Sequence, residues 1–530
     1  MNIKNLLCAI ISLVLLWSCG KDDGPEPAKN NAPKVEVQSF TVAEDISDSE
    51  EIGVVAATDK DEDTLIFSIV QNDNDLFEIT ESGVISLAPG KELNYELSTE
   101  HTILVSVSDG KQVRNGLMTI TVTNVFDSMV EDPESFITKW EISSSNFELT
   151  IGTGTSMELE YDYKIDWGDG SPVEELTSRN PTHIYTNVGT YYVSIQGDFP
   201  HILMRDQPIH IRRTLKGIEQ WGNIVWQSFS GAFALCQYME YNATDIPNLE
   251  NVQSMSQAFH WANLFDGDLS EWDVSNVTRT DLMFADAYSF NGDIGSWDVS
   301  NVTNMGSMFS SATKFNADIS GWDVSNVTNM QGMFFSTETF NADISGWDVS
   351  EVTNMRSMFA NNTSFNGDLS NWDVSNVTTM EKMFSEATSF NGDIGLWETG
   401  NVTDMKRMFR AAESFNSDIG GWNVSKVEDM SEMFLNAHSF NQNIGAWDIA
   451  GVEDMTGIFN DSGMSPERFS DTMIGWASNP NLQPYIPVGI EGMSLCSDNQ
   501  EALDAMVFKL NIELEWAFSS PPDMVDCSGN

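Results

Sequence analysis

Basic residues are scarce in this chain. Of its 530 residues, 25 are Lys or Arg and 80 are Asp or Glu, so the formal net charge at pH 7 is -55. A surface this acidic repels polyanions, which excludes passive binding to nucleic acid or to anionic lipid. Cations are the small partners that this charge favours. Solubility in a salty exterior explains the same charge equally well, and both interpretations stay open.

Catalytic motifs are also missing. The six histidines include no His-Glu-x-x-His pair, and the chain has neither a Gly-x-Ser-x-Gly elbow nor a phosphate-binding loop. A chance pair of acids is inevitable among 80 carboxylates, so such a pair would carry no information. The sequence therefore predicts a protein that is not an enzyme.

Long hydrophobic runs are absent apart from one at the N-terminus. The apolar run 6–16 is too short to cross a membrane and is typical of a secretory signal. The following Leu16-Trp17-Ser18-Cys19 resembles a bacterial lipobox, and Lys21-Asp22-Asp23 resembles the acidic tag that exports lipoproteins to the cell surface. These resemblances imply a signal peptide over 1–18, a lipid on Cys19 and a linker over 19–30. They also imply an outer-membrane protein on the cell surface, with the periplasmic face as the alternative.

Cysteine is rare as well, with five in the chain. Cys8 leaves with the predicted signal, and Cys19 carries the predicted lipid. Outside the cytoplasm Cys496 and Cys527 can pair, and closing a loop of about 30 residues is worth roughly 3 to 4 kcal/mol. Cys236 then has no partner and no metal-ligand spacing around it, so we expect a buried free thiol.

Residues 31–127 alternate apolar and polar side chains in short runs such as Ile103-Leu104-Val105-Ser106-Val107, which predicts a β-sandwich. Ordered motifs make the whole segment resemble a cadherin-like repeat. They are Asn31-Ala32-Pro33, Val42-Ala43-Glu44, the acidic run 57–63, Leu93-Asn94-Tyr95-Glu96, Val107-Ser108-Asp109-Gly110 and Asn124-Val125-Phe126-Asp127.

The cadherin resemblance implies calcium as a cofactor, because Ca²⁺ is a hard ion that takes about six to eight oxygen ligands. The implied ligands, supplied by loops at one end of the module, are Glu44, Asp59, Asp61, Glu96, Asp109 and Asp127. The exit motif departs from the family at Asn124 and Phe126, and no second cadherin-like copy follows it. Solvated carboxylates on sandwich loops are the alternative.

Residues 133–213 form a second β-rich module. The stretch Ile165-Asp166-Trp167-Gly168-Asp169-Gly170, followed by His183-Ile184-Tyr185, resembles a polycystic-kidney-disease-type immunoglobulin-like domain. We expect Asp169 to hydrogen-bond its own backbone in a tight turn. His183 and Tyr185 are expected to serve the core and strand pairing rather than to bind a ligand. Such modules act as spacers.

Residues 214–460 contain a repeat with a period of 25 residues. Its tryptophans recur without insertion or deletion at Trp272, Trp297, Trp322, Trp347, Trp372, Trp397, Trp422 and Trp447. A fixed period of this length indicates a solenoid, whose units stack because none can bury its apolar face alone.

Within one unit, apolar residues from 302 to 312 recur in steps of three and four, which puts them on one face of a predicted short helix. The stretch 319–324 is expected to be extended and to pair in parallel with the next coil. The predicted fold class is therefore multidomain: two all-β immunoglobulin-like sandwiches followed by a strand-plus-short-helix, leucine-rich-repeat-like solenoid. Residues 461–530 are expected to form a C-terminal cap.

The phrase Trp297-Asp298-Val299-Ser300-Asn301-Val302-Thr303-Asn304-Met305 resembles the 25-residue repeat of the BspA-type leucine-rich-repeat surface proteins. Known members are bacterial surface proteins associated with adhesion to matrix or to other cells. The resemblance implies a lipid-anchored adhesion protein that presents its solenoid to a protein or matrix partner. A structural component of a surface layer is one alternative. Glycan capture by repeat tryptophans is the other, and it requires those tryptophans to be exposed.

Stacked coils should align equivalent side chains in columns. We expect the methionines equivalent to Met305 to lie in the core. We expect the asparagines equivalent to Asn316 to form an amide ladder along the turns. The aspartates equivalent to Asp343 would lie about 4.8 Å apart and would repel one another. We therefore expect each to accept a backbone N–H from its own turn, with bound cations as the alternative.

Overall fold

The computed structural model describes residues 29–126, 128–154 and 159–528. The chain forms two compact units, Met1–Asp127 and Ser128–Asn530, and it is a mostly β, multidomain protein with sandwich-like sheets and few helices. The predicted lipidation at Cys19 and the predicted ligand Asp127 fall outside the described residues. Within them, no helix combines the length and the apolarity needed to cross a bilayer.

The N-terminal unit is built from short strands that form sandwich-like sheets. The strands are β1 (Lys34–Val35), β2 (Gln38–Ala43), β3 (Gly53–Val54), β4 (Ala57–Thr58), β5 (Ile66–Asn72), β6 (Phe77–Ile79), β7 (Val84–Leu87), β8 (Glu100–Ser108) and β9 (Val113–Thr123). A 3-10 turn, Asp73–Asp75, follows β5. The sheets have the orders β2-β9-β8-β5, β3-β7-β6 and β1-β4.

The predicted alternation decides which face of each strand is buried. Ile103, Val105 and Val107 of β8 are fully buried, as are Met118 and Ile120 of β9. The intervening residues point to the other face because successive side chains of a strand alternate. β2 runs parallel to β9, whereas β8 is antiparallel to β9.

The second unit begins with a six-stranded sheet. Its strands and first helix are β10 (Phe136–Ile142), β11 (Phe147–Thr150), β12 (Asp162–Asp166), β13 (Glu174–Leu176), β14 (Thr182–Tyr185), β15 (Gly189–Asp198), α1 (Ile209–Arg212), β16 (Leu215–Gln220) and β17 (Glu240–Tyr241). The sheet order is β13-β12-β15-β10-β16-β17, and β11 pairs with β14. Strand β16 pairs antiparallel with β10 and parallel with β17. One sheet therefore continues from the 133–213 module into the first coil.

Single-residue parallel bridges link each coil to the next, from Ser254↔Arg279 to Asp429↔Asp454. The prediction of a short helix and a strand in each coil is wrong. Among the described residues between β17 and residue 466, no regular helix or longer strand forms. Ser307 and Ser311 have left-handed backbones, with φ of 55° and 58°, which a helix does not accommodate.

The backbone hydrogen bonds explain this outcome. Ser307 N–H donates to the Gln331 carbonyl at 2.7 Å, and Phe309 N–H donates to the Met333 carbonyl at 3.0 Å. Met308 N–H, between them, turns back to the Met305 carbonyl at 3.1 Å. Alternate N–H groups thus bind the next coil instead of their own turn. The apolar spacing still predicts burial correctly, since the side chains placed on the helix face are fully buried.

Aromatic side chains fill the interior in columns. Phe309 stacks on Phe334 of the next coil, with ring centroids 5.9 Å apart, and Trp297 lies parallel to Trp322 at 6.4 Å. The eight repeat tryptophans are only 2 to 4% exposed. Sugar stacking on these tryptophans is therefore excluded as a mode of glycan capture.

The C-terminal segment covers the last coil. It consists of α2 (Pro466–Ala477), β18 (Pro487–Val488), β19 (Ser494–Cys496), α3 (Gln500–Leu503), a π-helical segment (Asp504–Glu513), β20 (Ala517–Phe518) and β21 (Asp523–Val525). The Ser465 side chain caps α2 by accepting the Arg468 N–H at 3.3 Å. Trp476 of α2 stacks on Phe459 at 5.7 Å, and a disulfide joins Cys496 to Cys527.

Candidate functional sites

The carboxylates implied as calcium ligands lie at both ends of the β8–β9 hairpin. In this hairpin Glu100 pairs with Thr121 and Ser108 pairs with Val113. Asp109 follows the end of β8, whereas Glu44 follows the end of β2, which is parallel to β9. The structure therefore separates Asp109 from Glu44 by the length of the hairpin, and it does not bring the implied ligands to one end.

One acidic group is formed by Asp59, Asp61 and Asp63. Their carboxylate oxygens lie within 4.8 Å of one another. Asp59 Oδ1 accepts the Asp61 N–H at 2.8 Å, whereas Asp59 Oδ2 is buried and has no hydrogen-bond partner among the described residues. An unpaired buried carboxylate oxygen is costly, so the group fits a hard cation such as Ca²⁺. Asp63 was not among the predicted ligands, although the alternating Asp-x-Asp-x-Asp pattern signals it.

Hydrogen bonds from neighbouring residues lower the pKa of Asp61 and of Asp109. Hydrogen bonds from the Asn31 backbone and side chain hold the pKa of Asp61 below its ordinary value. The backbone N–H of Gln112, followed by the Asn30 amide, does the same for the pKa of Asp109. Lys111 Nζ donates to Asp63 Oδ2 at 3.1 Å, so an ammonium compensates part of the charge.

Glu44 lies near the other end of the β8–β9 hairpin from Asp109. This side chain is buried, and its two oxygens accept the N–H groups of Tyr95 at 2.6 Å and of Val125 at 2.7 Å. Asn124 Oδ1 is buried without a hydrogen-bond partner among the described residues, whereas Glu96 is exposed. Glu44 thus ties the loop before β8 to the segment after β9.

The motif of the 133–213 module is structural. Asp169 accepts its own turn's Ser171 N–H at 3.0 Å and contacts His183 Nε2 at 2.8 Å. The His183 ring stacks on Trp167 at 5.0 Å, and Tyr185 donates its buried hydroxyl to the Trp167 carbonyl at 2.8 Å. The prediction that His183 and Tyr185 serve packing and strand pairing is confirmed.

The predicted asparagine and methionine columns are confirmed. Asn316 N–H donates to Asn291 Oδ1 at 2.8 Å, and Asn341 N–H donates to Asn316 Oδ1 at 2.8 Å. The ladder continues through Asn366, Asn391, Asn416 and Asn441 with the same geometry. The methionines equivalent to Met305 are fully buried.

The predicted aspartate bonds are confirmed at every position. Ser345 N–H donates to Asp343 Oδ1 at 3.0 Å, and Asn443 accepts the Gly445 N–H in the same way at 2.9 Å. The others are Asp268, Asp293, Asp318, Asp368, Asp393 and Asp418. Each side-chain oxygen therefore accepts a backbone N–H of its own turn. These hydrogen bonds offset the repulsion between neighbouring carboxylates of the column.

Sequence reasoning missed a second aspartate column. Asp323 accepts the backbone N–H of Ser325 at 3.1 Å and its hydroxyl at 2.6 Å. The same backbone bond recurs at Asp273, Asp298, Asp348, Asp373 and Asp448. The Asp-x-Ser spacing, which favours an Asx turn, was the available signal.

Basic side chains of the stack are largely used in bonds between coils. Arg407 forms two hydrogen bonds to the Glu432 carboxylate, at 2.9 and 2.7 Å. Arg356 pairs with Glu381 of the next coil at 2.9 Å, and Lys406 pairs with Asp429 at 3.2 Å. Pairs at a partly exposed surface add little stability individually. They do, however, compensate the charges of Glu381, Asp429 and Glu432.

Comparison with protein families identifies two parts of the chain. The cadherin domain family matches residues 38–123, and this segment is a cadherin-like domain. The family described as "Mycoplasma protein of unknown function, DUF285" matches the repeats in three overlapping stretches, 227–335, 317–402 and 368–472. No match is found among curated proteins.

Similar solved structures are cadherin ectodomains of low identity. Drosophila N-cadherin EC1-3 is 21% identical over 18% of this chain and 35% of its own length, with a TM-score of 0.17. Human Protocadherin-24 EC1-2 is 20% identical over 22% of this chain and 58% of its own, with a TM-score of 0.17. The human Desmocollin-1 ectodomain is 20% identical over 32% of this chain and 38% of its own length, with a TM-score of 0.19. The chain thus spans less than two thirds of each.

Proposed function

We propose that this protein is a lipid-anchored adhesion protein of the outer cell surface, with a BspA-type leucine-rich-repeat stack as its binding part. The cadherin-like domain over 38–123 carries the proposal, because it is an adhesion-type extracellular module. The stack supports it, because repeat arrays form extended binding surfaces. The 133–213 module, of the polycystic-kidney-disease type, is a spacer in this proposal.

Anchoring is tested by replacing Cys19 with Ala. The variant should leave the membrane fraction, whereas Cys236→Ala, the matched control, should stay in it. Cells that display the wild-type chain should adhere to a matrix-coated surface, and cells with the Cys19→Ala variant should not. Protease treatment of intact cells should digest the wild-type chain. Adhesion without display, or full protection from protease, would refute the proposal.

We also propose that Asp59, Asp61 and Asp63 hold a calcium ion. The observation in its favour is the buried, unpaired Asp59 Oδ2 beside two further carboxylates. A bound ion stabilises the folded state by mass action, by about 2.7 kcal/mol at 100 times the dissociation constant.

The calcium proposal is tested by thermal unfolding of the full-length chain with millimolar Ca²⁺ or with a chelator. Ca²⁺ should raise the Tm of the cadherin-like transition, and Asp61→Asn should abolish that rise. Glu81→Gln, at an exposed carboxylate outside the acidic group, should retain it. An equal Tm with calcium and with chelator would favour solvated loops instead.

A further inference from the structure

Neighbouring coils near the start of the stack carry exposed aromatic side chains at one corner. Trp261 is 37% exposed and Tyr288 is 40% exposed, in contrast to the buried repeat tryptophans. At the position of Trp261 the later coils carry Asp286, Ser311, Ser336, Asn361, Glu386, Ala411 and Asn436. At the position of Tyr288 they carry Thr313, Glu338, Thr363, Thr388, Glu413 and His438. The coil therefore folds without a ring at either position.

Trp261 also has a left-handed backbone conformation. Trp261 has a φ of 58°, and Ser311 and Ser336 at the equivalent position have φ of 58° and 52°. A bulky side chain rarely adopts this left-handed conformation. The fold imposes this conformation on every later coil, where the position carries a small or polar residue, so packing of the coil does not account for an exposed indole here.

Polar groups accompany the two rings. The His260 ring lies edge-on to Trp261, with centroids 6.3 Å apart, and His260 Nε2 is 3.5 Å from Asp286 Oδ2. Burial, followed by the charge of Asp286 and a hydrogen bond to it, raises the pKa of Tyr288. An indole, an imidazole, a carboxylate and a phenol thus lie side by side on adjacent coils.

The same corner continues as a polar groove on later coils. A cavity of about 590 Å³ is lined there by Ser336, Glu338, Thr363, Glu386, Thr388 and Arg410, among others. Several of these residues are the equivalents of Trp261 and Tyr288. Hydroxyl, carboxylate and guanidinium groups therefore follow the aromatic rings along the stack.

We infer that this corner binds a neutral carbohydrate chain that runs along the stack, with its sugar rings against Trp261 and Tyr288. Aromatic faces beside a few placed polar groups suit a ligand that has apolar C–H faces and polar hydroxyls. Asp286 and His260 are placed to hydrogen-bond those hydroxyls. The net charge of -55 repels acidic polysaccharides, which selects a neutral chain. The inference rests on the proposed function and names its ligand.

The test is affinity electrophoresis of the full-length chain in gels that contain a mannan, a xylan, a β-1,3-glucan or a dextran, with alginate as the acidic comparison. The variant Trp261→Ser/Tyr288→Thr installs the residues that Ser311 and Thr313 provide at the equivalent positions of the coil after Tyr288, so its Tm should not change. Tyr485→Ser, at another exposed aromatic of the same unit, is the control.

At least one neutral polysaccharide should retard the wild-type chain and the control, and the double variant should bind at least about tenfold more weakly. The inference is overturned if no neutral polysaccharide retards the chain, if alginate binds better, or if the double variant binds equally well. Cells that adhere although no polysaccharide binds would refute this site and leave the adhesion proposal standing. Carbohydrate binding without cell adhesion would support this site and refute the adhesion proposal.

Discussion

Each repeat tryptophan combines packing with a hydrogen bond that ties one coil to the previous one. Trp347 is buried between Trp322 and Trp372, at centroid distances of 6.4 and 6.5 Å. Its Nε1–H donates to the Ile319 carbonyl at 3.2 Å. The same carbonyl also accepts the Trp322 backbone N–H at 3.2 Å, so the indole supplies one of its two hydrogen bonds.

Replacing Trp347 with Phe should lower the free energy of unfolding by about 1 to 3 kcal/mol, because the Ile319 carbonyl loses one of its two donors and the smaller ring fills less of the tryptophan column. Urea unfolding followed by circular dichroism measures this change. Trp261→Phe, at an exposed indole, should change the same free energy by less than about 0.5 kcal/mol. Equal effects of the two substitutions would show that neither the packing nor the hydrogen bond of Trp347 contributes to stability.

Asp343 tests whether acceptor shape or charge matters in its column. Asp343→Asn should leave Tm nearly unchanged, because the amide oxygen still accepts the Ser345 N–H, as Asn443 does for Gly445. Asp343→Ala should lower Tm clearly, because the turn loses its acceptor. Thermal unfolding measures the Tm of both variants. The same Tm for Asp343→Asn and Asp343→Ala would refute the explanation by hydrogen bonding.

At the scale of the coil, hydrogen bonds from serine turns set the protonation of the aspartate columns. They lower the pKa of Asp268, Asp273, Asp318, Asp323, Asp343, Asp368 and Asp373 below the ordinary value. A carboxyl whose pKa is lower when folded stabilises the folded state above its unfolded pKa. It loses that contribution as pH falls through the folded pKa.

Stability of the second unit should therefore be constant near neutral pH and fall below about pH 4, the ordinary range of an aspartate pKa. Urea unfolding between neutral pH and about pH 3 measures this dependence. The triple variant Asp318→Asn/Asp343→Asn/Asp368→Asn should show a shallower loss, because those positions no longer titrate. A wild-type stability that rises on acidification would contradict the assigned shifts.

At the scale of the whole molecule, the 133–213 module and the repeat stack share one sheet and one hydrophobic core. Phe136 of β10 stacks on Trp221 at 5.6 Å, and the Gln220 side chain donates to the carbonyls of Asp132 and Ser135. The module therefore covers the open end of the first coil, as α2 covers the last.

A fragment that begins at residue 214 should be markedly less stable than one that begins at 128. It exposes Trp221 and leaves β16 without β10, its antiparallel partner. Calorimetry should show one cooperative transition for the fragment 128–530 and a lower, broader one for 214–530. Identical transitions would show that the shared sheet does not cap the stack.

The sequence by itself determined the period, the buried positions and the hydrogen-bonding columns. Identical residues at a fixed period must meet their equivalents when coils stack, and an Asx turn such as that of Asp343 is decided by residues two positions apart. The burial of Met305 and its equivalents follows from the same local pattern.

Only the tertiary structure decided the path of the backbone and the grouping of distant residues. The helix expected from 302 to 312 is absent because alternate N–H groups find acceptors in the next coil, 24 residues away. The separation of Asp109 from Glu44 depends on strand order, and the joining of Phe136 to Trp221 depends on a sheet that crosses two modules. A local pattern does not encode contacts over such distances, so the exposure of Trp261 was visible only in the folded chain.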